Sequence, residues 1–217
     1  MSGRPPASPA GFWKRTVAYS LDVMVLSLLY QLVFSVIVTL LAGADMAWLL
    51  DLLWRAQALQ ASGDLDGVRQ LWHELWPWVW RMLWISTLGY ALIGAAYFAC
   101  MEASPWQATL GKRVLGLKVV STDGRPIGPA RALLRYFAAG ISWLLLNLGH
   151  AMAAWTPDKR ALHDYVAGTR VDNIDPANAA MPRWGWIILG IELAMLLGVA
   201  AVLALALALA LVQIGAF

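Results

Sequence analysis

The sequence is short of charge and almost without cysteine. Of its 217 residues only 13% are charged, and Cys100 is the single cysteine. A lone thiol excludes an internal disulfide and any multi-thiolate metal centre. Soluble globular proteins carry about 25% charged residues, so 16 basic and 13 acidic side chains are too few to cover a soluble domain of this size. Apolar residues take their place, at 60% of the chain with a mean hydropathy of +0.63. This balance excludes a disordered chain, a secreted disulfide scaffold and an ordinary cytosolic enzyme, and points to an integral membrane protein. The net charge of +3 is too small to imply a nucleic-acid partner. Thirteen tryptophans agree with a membrane setting, because indole is favoured where lipid tails meet headgroups.

Residues 1–10 hold three prolines and are expected to form a disordered lead. The first apolar run is Val17 to Ala42, behind Lys14 and Arg15. Ala42-Gly43-Ala44 looks like a signal-peptidase site, but an apolar core of about 25 residues exceeds the roughly 7–15 of signal peptides, and it contains Asp22. Asp45 to Arg81 mixes five acids, three arginines and six tryptophans. Trp72, Trp76 and Trp80 repeat every fourth residue, which predicts an amphipathic helix in the interface, separated by Ser62-Gly63-Asp64 from one around Ala47 to Leu59. Met82 to Met101 is uncharged and just long enough to cross a ~30 Å hydrocarbon core.

Glu102 to Arg135 is basic, and Val114 to Val120 reads as a strand ending at the turn dipeptide Asp123-Gly124. Tyr136 to Trp155 is a third apolar segment, interrupted by Gly140, Asn147, Gly149 and His150. Val166 to Val171 is a second possible strand, and Trp184 to Val212 a last apolar run broken only by Glu192. If the third segment crosses, Lys and Arg divide 9 to 7 across the membrane; if it re-enters, they divide 13 to 3 with the N-terminus on the basic, cytoplasmic side. The second arrangement fits the positive-inside rule better and puts both strands on one side. The expected fold is therefore an all-α integral membrane protein with three full spans plus one re-entrant or fourth span. It would carry a small cytoplasmic β element and amphipathic Trp-rich helices on the outer side.

Among the polar residues Asp22 stands out, since an acid at a helix centre costs roughly 2.5–3.5 kcal/mol on insertion scales. Arg15 lies two turns earlier on nearly the same face, too far for easy direct contact, so a third group is expected between them. Tyr19 extends that stripe. The pair reads either as a cation or proton site or as a polar clasp between helices. Asn147 and His150, three apart, could meet Asp22 inside the bundle as a relay or as a satisfied polar pair; Glu192 marks a subunit contact or a hydrated acid near the boundary. No metal site, cofactor or enzyme motif emerges. His73-Glu74 has Pro77 where a zinc protease needs its second histidine, and Gly111-Lys112-Arg113 lacks the rest of a phosphate-binding loop. His163-Asp164 has no serine or cysteine nearby to activate.

Gly11-Phe12-Trp13-Lys14-Arg15 leading to Asp22, the stretch Glu102 to Val120, Asp123-Gly124, Arg135, and Leu162 to Thr169 together resemble the RDD family of bacterial membrane proteins. The likeness covers about residues 10–172, with residues 11–172 as the membrane domain. Within it the Trp-rich insertion at 42–81 is long, and beyond it lie a linker at 173–183 and an additional transmembrane helix at 184–217. The arginine and two aspartates that name the family correspond by position to Arg15, Asp22 and Asp164. The resemblance implies a bacterial inner-membrane protein with lipid, protons and a monovalent cation such as sodium as partners, since some family members are sodium/proton antiporters; a homo-oligomer is expected because three or four spans enclose little by themselves. It leaves Asp164 as a second ligand or as an anchor for the cytoplasmic segment. The alternative is a scaffold, assembly or sensing protein that transports nothing.

Overall fold

The computed structural model describes residues 8–41 and 43–215, so the first seven residues and Ala42 of the small-residue triplet lie outside the described residues. The chain is mostly helical and divides into two compact units, Val23–Cys100 and the segments on either side of it. Three helices are long and apolar enough to cross a membrane: α1 (Phe12–Leu41), α3 (Leu65–Ala103) and α8 (Arg183–Gly215). Helix α2 (Gly43–Ser62) lies between the first two.

The segment 82–101 does not stand apart from the Trp-rich helix before it. Both belong to α3, whose 39 residues run through Pro77. At 1.5 Å per residue it is about 58 Å long, nearly twice a ~30 Å hydrocarbon core. Apolar periodicity continues on both sides of Pro77, so the one hydrogen bond that proline removes does not end the helix. Trp72, Trp76 and Trp80 are exposed along its first half. Arg55 of α2 binds Glu74 at 2.8 and 3.2 Å and Asp51 at 2.9 Å, and Trp48 lies 6.1 Å from Trp78. In the second half, Tyr30 shares a 2.6 Å hydrogen bond with Ser86. Its ring meets Tyr90 edge-on at 5.4 Å.

The other unit is built on a small antiparallel sheet of β1 (Leu117–Ser121) and β2 (Thr169–Asn173), with Val119 opposite Val171. Each strand begins three residues later than expected, because α4 (Leu110–Val114) and α7 (Leu162–Ala167) occupy the positions before them. Gly168, at φ 62°, ends α7 in the left-handed region and turns the chain into β2. Asp123-Gly124 does make a tight turn, with Gly124 at φ 81°, but it leads into α5 (Pro129–Leu144) instead of a hairpin. Ser8 to Ala10, the end of the expected lead, run beside β2: Ala10 N–H donates to Val171 at 2.9 Å and Asn173 N–H to Ser8 at 2.8 Å.

The third apolar segment breaks after α5. Leu146 and Asn147 are left-handed, at φ 51° and 63°, and the helical stretch Leu148–Ala154, which includes α6 (Leu148–Ala151), leaves at 114° to α5. Gly140, one of the expected interruptions, sits inside α5. The bend makes this segment a broken span or a re-entrant loop, not a straight crossing. Apart from the two-stranded sheet, the described architecture is helical.

Candidate functional site

Position 22 of α1 faces inward, and the sequence around α4 is shaped to receive it. Thr109 precedes α4 but leaves that helix uncapped; its hydroxyl donates instead to Asp22 Oδ2 at 2.5 Å. Gly111 N–H donates to Asp22 Oδ1 at 2.7 Å. A Cβ at Gly111 would stand 2.1 Å from the Ala18 carbonyl oxygen and 3.0 Å from Asp22 Cγ, so only glycine lets α4 approach α1 this closely. The next residue brings a charge: Lys112 Nζ lies 3.7 Å from Asp22 Oδ2. It donates to Thr109 Oγ1 at 3.2 Å and pairs with Glu102 Oε1 at 3.1 Å.

Glu102, in the last turn of α3, passes the chain of charges on. Arg135 of α5 donates to it at 2.6 Å through Nη1 and to Asp164 Oδ1 at 3.1 Å through Nε. Arg15, in the first turns of α1, closes on Asp164 Oδ2 at 2.5 Å and on the Lys159 carbonyl at 2.7 Å. The result is an alternating row: Asp22, Lys112, Glu102, Arg135, Asp164, Arg15. Three carboxylates and three cations balance, and the acids are at most 1% exposed. Burying ions in such numbers is tolerable only when each is paired and hydrogen-bonded.

Asp164 is the most heavily held. Besides two guanidiniums it accepts from Ala161 N–H at 3.0 Å, which caps α7, and from the Thr169 hydroxyl at 3.3 Å. Burial alone would raise its carboxyl, but Arg15, Arg135 and the Ala161 amide outweigh it and hold Asp164 well below the usual carboxylate range. His163 beside it takes Arg135 Nη2 at 3.1 Å and Arg15 Nη2 at 3.5 Å on its Nε2. A guanidinium only donates, so Nε2 accepts and the proton of the neutral ring sits on Nδ1. Burial pushes this imidazole well below its ordinary value; Asp164 opposes the shift, and Arg135 and Arg15 reinforce it.

The structure thus keeps Arg15, Asp22 and Asp164 in one cluster but rearranges their roles. Arg15 turns to Asp164, and Asp22 is held by Thr109, Gly111 and Lys112, so the two are linked through the intervening members of the row and not by direct contact. Asn147 and His150 lie at and just after the turn that ends α5, where residues 146 and 147 are left-handed. Asn147 is exposed at that turn. His150 lies 5.0 Å from the His163 ring and 5.9 Å from Tyr19, which also packs 6.3 Å from Trp143. Glu192 is half-buried on α8, and no ion pair joins it to the cluster among the described residues.

Glu102, Thr109, Lys112 and His163 are cluster members that the reading of single motifs passed over. Glu102 had one visible signal, as the first charge after an uncharged stretch of 20 residues. Lys112 and His163 were visible as fragments of motifs for other chemistries and within the stretches of the family likeness, with no role attached. Arg135 entered through the family likeness alone.

The model of the RDD family matches residues 9–168, which include every member of the charged row. Two Bacillus subtilis (strain 168) proteins are similar in sequence, each carrying the name "uncharacterized protein". YxaI is 32% identical over 164 residues, covering 75% of this chain and 96% of its own. YckC is 27% identical over 173 residues, covering 77% and 87%. No solved structure matches the chain. Helix α8 lies beyond the matched region. With the matched region spanning most of the sequence and three apolar helices long enough to cross a bilayer, the chain belongs to the RDD family of membrane proteins.

Proposed function

We propose that the protein is a small cation/proton antiporter in which Asp22 and Glu102 hold the transported monovalent cation and Lys112 supplies the exchanged proton. The observation that carries this reading is the position of Lys112, shared between two buried carboxylates and 3.7 Å from one of them. Of the three cations in the row, only lysine can give up its proton; arginine stays charged at any accessible pH. When Lys112 releases a proton it leaves two carboxylates short of one positive charge. A monovalent cation entering beside them restores neutrality, so one cation in is matched by one proton out. The Arg15–Asp164–Arg135 half stays paired throughout and serves as a frame. This division assigns Asp164 the anchor role.

The antiporter would sit in the bacterial inner membrane with its N-terminus cytoplasmic, as a homo-oligomer, because three or four spans enclose little by themselves. The 13-to-3 division of Lys and Arg supports that orientation, and the 114° bend after α5 supports the re-entrant arrangement it assumes. A second reading keeps the whole row static, as a polar clasp in a scaffold, assembly or sensing protein. It is favoured by the saturation of Asp164, which accepts from four partners.

Reconstitution into proteoliposomes with an internal pH dye separates the two. Under the antiport reading, sodium or potassium gradients drive proton flux, and Lys112→Arg abolishes it while leaving thermal stability near wild type. Asp22→Asn abolishes it as well. Absence of flux from folded wild type, or full flux from Lys112→Arg, overturns antiport through this site and leaves the clasp.

A further inference from the structure

Lys14 is buried, one residue before the arginine of the charged row, yet it takes no part in that row. Its ammonium donates to Asn173 Oδ1 at 2.9 Å and to the Asn178 carbonyl at 2.8 Å. Both partners are neutral, and among the described residues no carboxylate lies within ion-pair distance. A buried cation without a counter-charge is costly unless an anion visits it. Lys14 lines a cavity of about 530 Å³ whose walls include Leu115, Ile174, Asp175, Met181 and Trp184.

Asp175 on the same wall carries the opposite charge at an exposed position. Its carboxylate accepts from Ala177 N–H at 2.9 Å and from the Asn178 amide at 2.6 Å, and no cation pairs with it among the described residues. One cavity therefore presents one positive and one negative group, each hydrogen-bonded only to neutral donors or acceptors and held apart. The complementary ligand is a zwitterion with a separate anion and ammonium.

The cavity's location narrows the source. It lies where two candidate spans begin, α1 at Phe12 and α8 at Arg183. Trp13 and Trp186 approach to 6.3 Å there, and Trp184 lines the cavity itself. Tryptophans clustered at the ends of spans mark the depth of lipid headgroups. The apolar walls suit glycerol and the first acyl carbons, and the positive end of α1 adds to the attraction of Lys14 for a phosphate.

We propose that this cavity binds the headgroup of an ethanolamine phospholipid, with Lys14 on the phosphate and Asp175 on the primary ammonium. Choline carries no N–H to donate to Asp175, and glycerol carries no cation. Phosphatidylcholine and phosphatidylglycerol therefore bind less well. The site is separate from the charged row and independent of whether that row transports anything.

The test uses the full chain, delipidated in detergent and exposed to mixed micelles holding equal mole fractions of phosphatidylethanolamine, phosphatidylcholine and phosphatidylglycerol. Retained lipid is read by native mass spectrometry. Wild type is expected to keep the ethanolamine lipid roughly tenfold over the other two, the effect of one charge-assisted contact. Asp175→Asn, at an exposed loop position that need not disturb folding, should remove the preference over phosphatidylglycerol. Lys14→Gln should weaken retention of all three, and Ala180→Phe, which fills the cavity without touching either charge, should do the same if the lysine variant fails to fold. Equal retention of the three lipids by wild type, an unchanged preference in Asp175→Asn, or undiminished retention in Ala180→Phe overturns the proposal. So does saturation by water-soluble glycerophosphoethanolamine at the lipid's own concentration, which would assign the site to a soluble zwitterion.

Discussion

Arg15 and Asp164, 149 positions apart in the sequence, meet at 2.5 Å and join the start of α1 to the first turn of α7. Asp22, seven residues after Arg15 on the same helix, is left to α4. Arg15 and the two aspartates therefore serve two different contacts. Arg135, reaching both Glu102 and Asp164, makes them one network.

Removing one member of such a network leaves buried charge unpaired, which typically costs about 3–5 kcal/mol. Asp164→Asn preserves shape and one acceptor but strips the charge from between two guanidiniums. We expect a loss of that order, read as a lower midpoint in detergent thermal melts. A change below about 1 kcal/mol, the value of a surface pair, would contradict the buried geometry.

Close approach of α4 to α1 predicts a contrast between two glycines. A Cβ at Gly111 meets backbone, the Ala18 carbonyl oxygen at 2.1 Å, and cannot be relieved by turning a side chain. Gly111→Ala should destabilise by about 2 kcal/mol or more, as overpacking does. Gly140 lies within α5 with nothing within 4 Å of its Cβ direction. Gly140→Ala should stabilise by about 1 kcal/mol through helix propensity. Parallel melts of the two variants decide whether the fit at 111 is as tight as described.

The neutral His163 predicts a pH dependence. Its pKa in the folded protein lies well below the unfolded value of 6.5, so the unfolded chain binds the proton more readily. The stability this contributes is complete above the unfolded value and is lost as pH falls through it toward the folded one. Melts between about pH 7.5 and 5 should show falling stability on acidification, and His163→Gln should flatten the slope. Asp164 acts lower, because its contribution is present above the ordinary carboxylate pKa and disappears only in stronger acid. An identical slope in His163→Gln would mean that the ring is not held neutral.

Tyr30 and Ser86 offer a separate probe of the other unit. Tyr30→Phe removes their 2.6 Å hydrogen bond and should cost about 1 kcal/mol. The stacking on Phe34 and the edge contact with Tyr90 should survive, so near-ultraviolet circular dichroism should change little.

Composition and hydropathy were sufficient to identify a membrane protein, because each span has to be apolar along its own length and that requirement is local. Strand pairing near Val119 and Val171 was legible for a similar reason, as β-branched runs bounded by turn residues. Local rules misplaced what neighbours decide. The segment 82–101, read as a span apart from the Trp-rich helix, continues that helix as one α3, and the strand starts moved because short helices took the residues before them. Asp22 was conspicuous as an acid in an apolar run, but Lys112 and Glu102, which share its charge, sit at ordinary polar positions in the sequence. An ion pair is a property of two places brought together, and here the two can be nearly 150 residues apart. The sequence by itself determined a mostly helical membrane protein with a small two-stranded sheet, and the family it belongs to. Only the tertiary structure decided which charge faces which, because that depends on Gly111 letting α4 against α1 and on Arg135 reaching both Glu102 and Asp164.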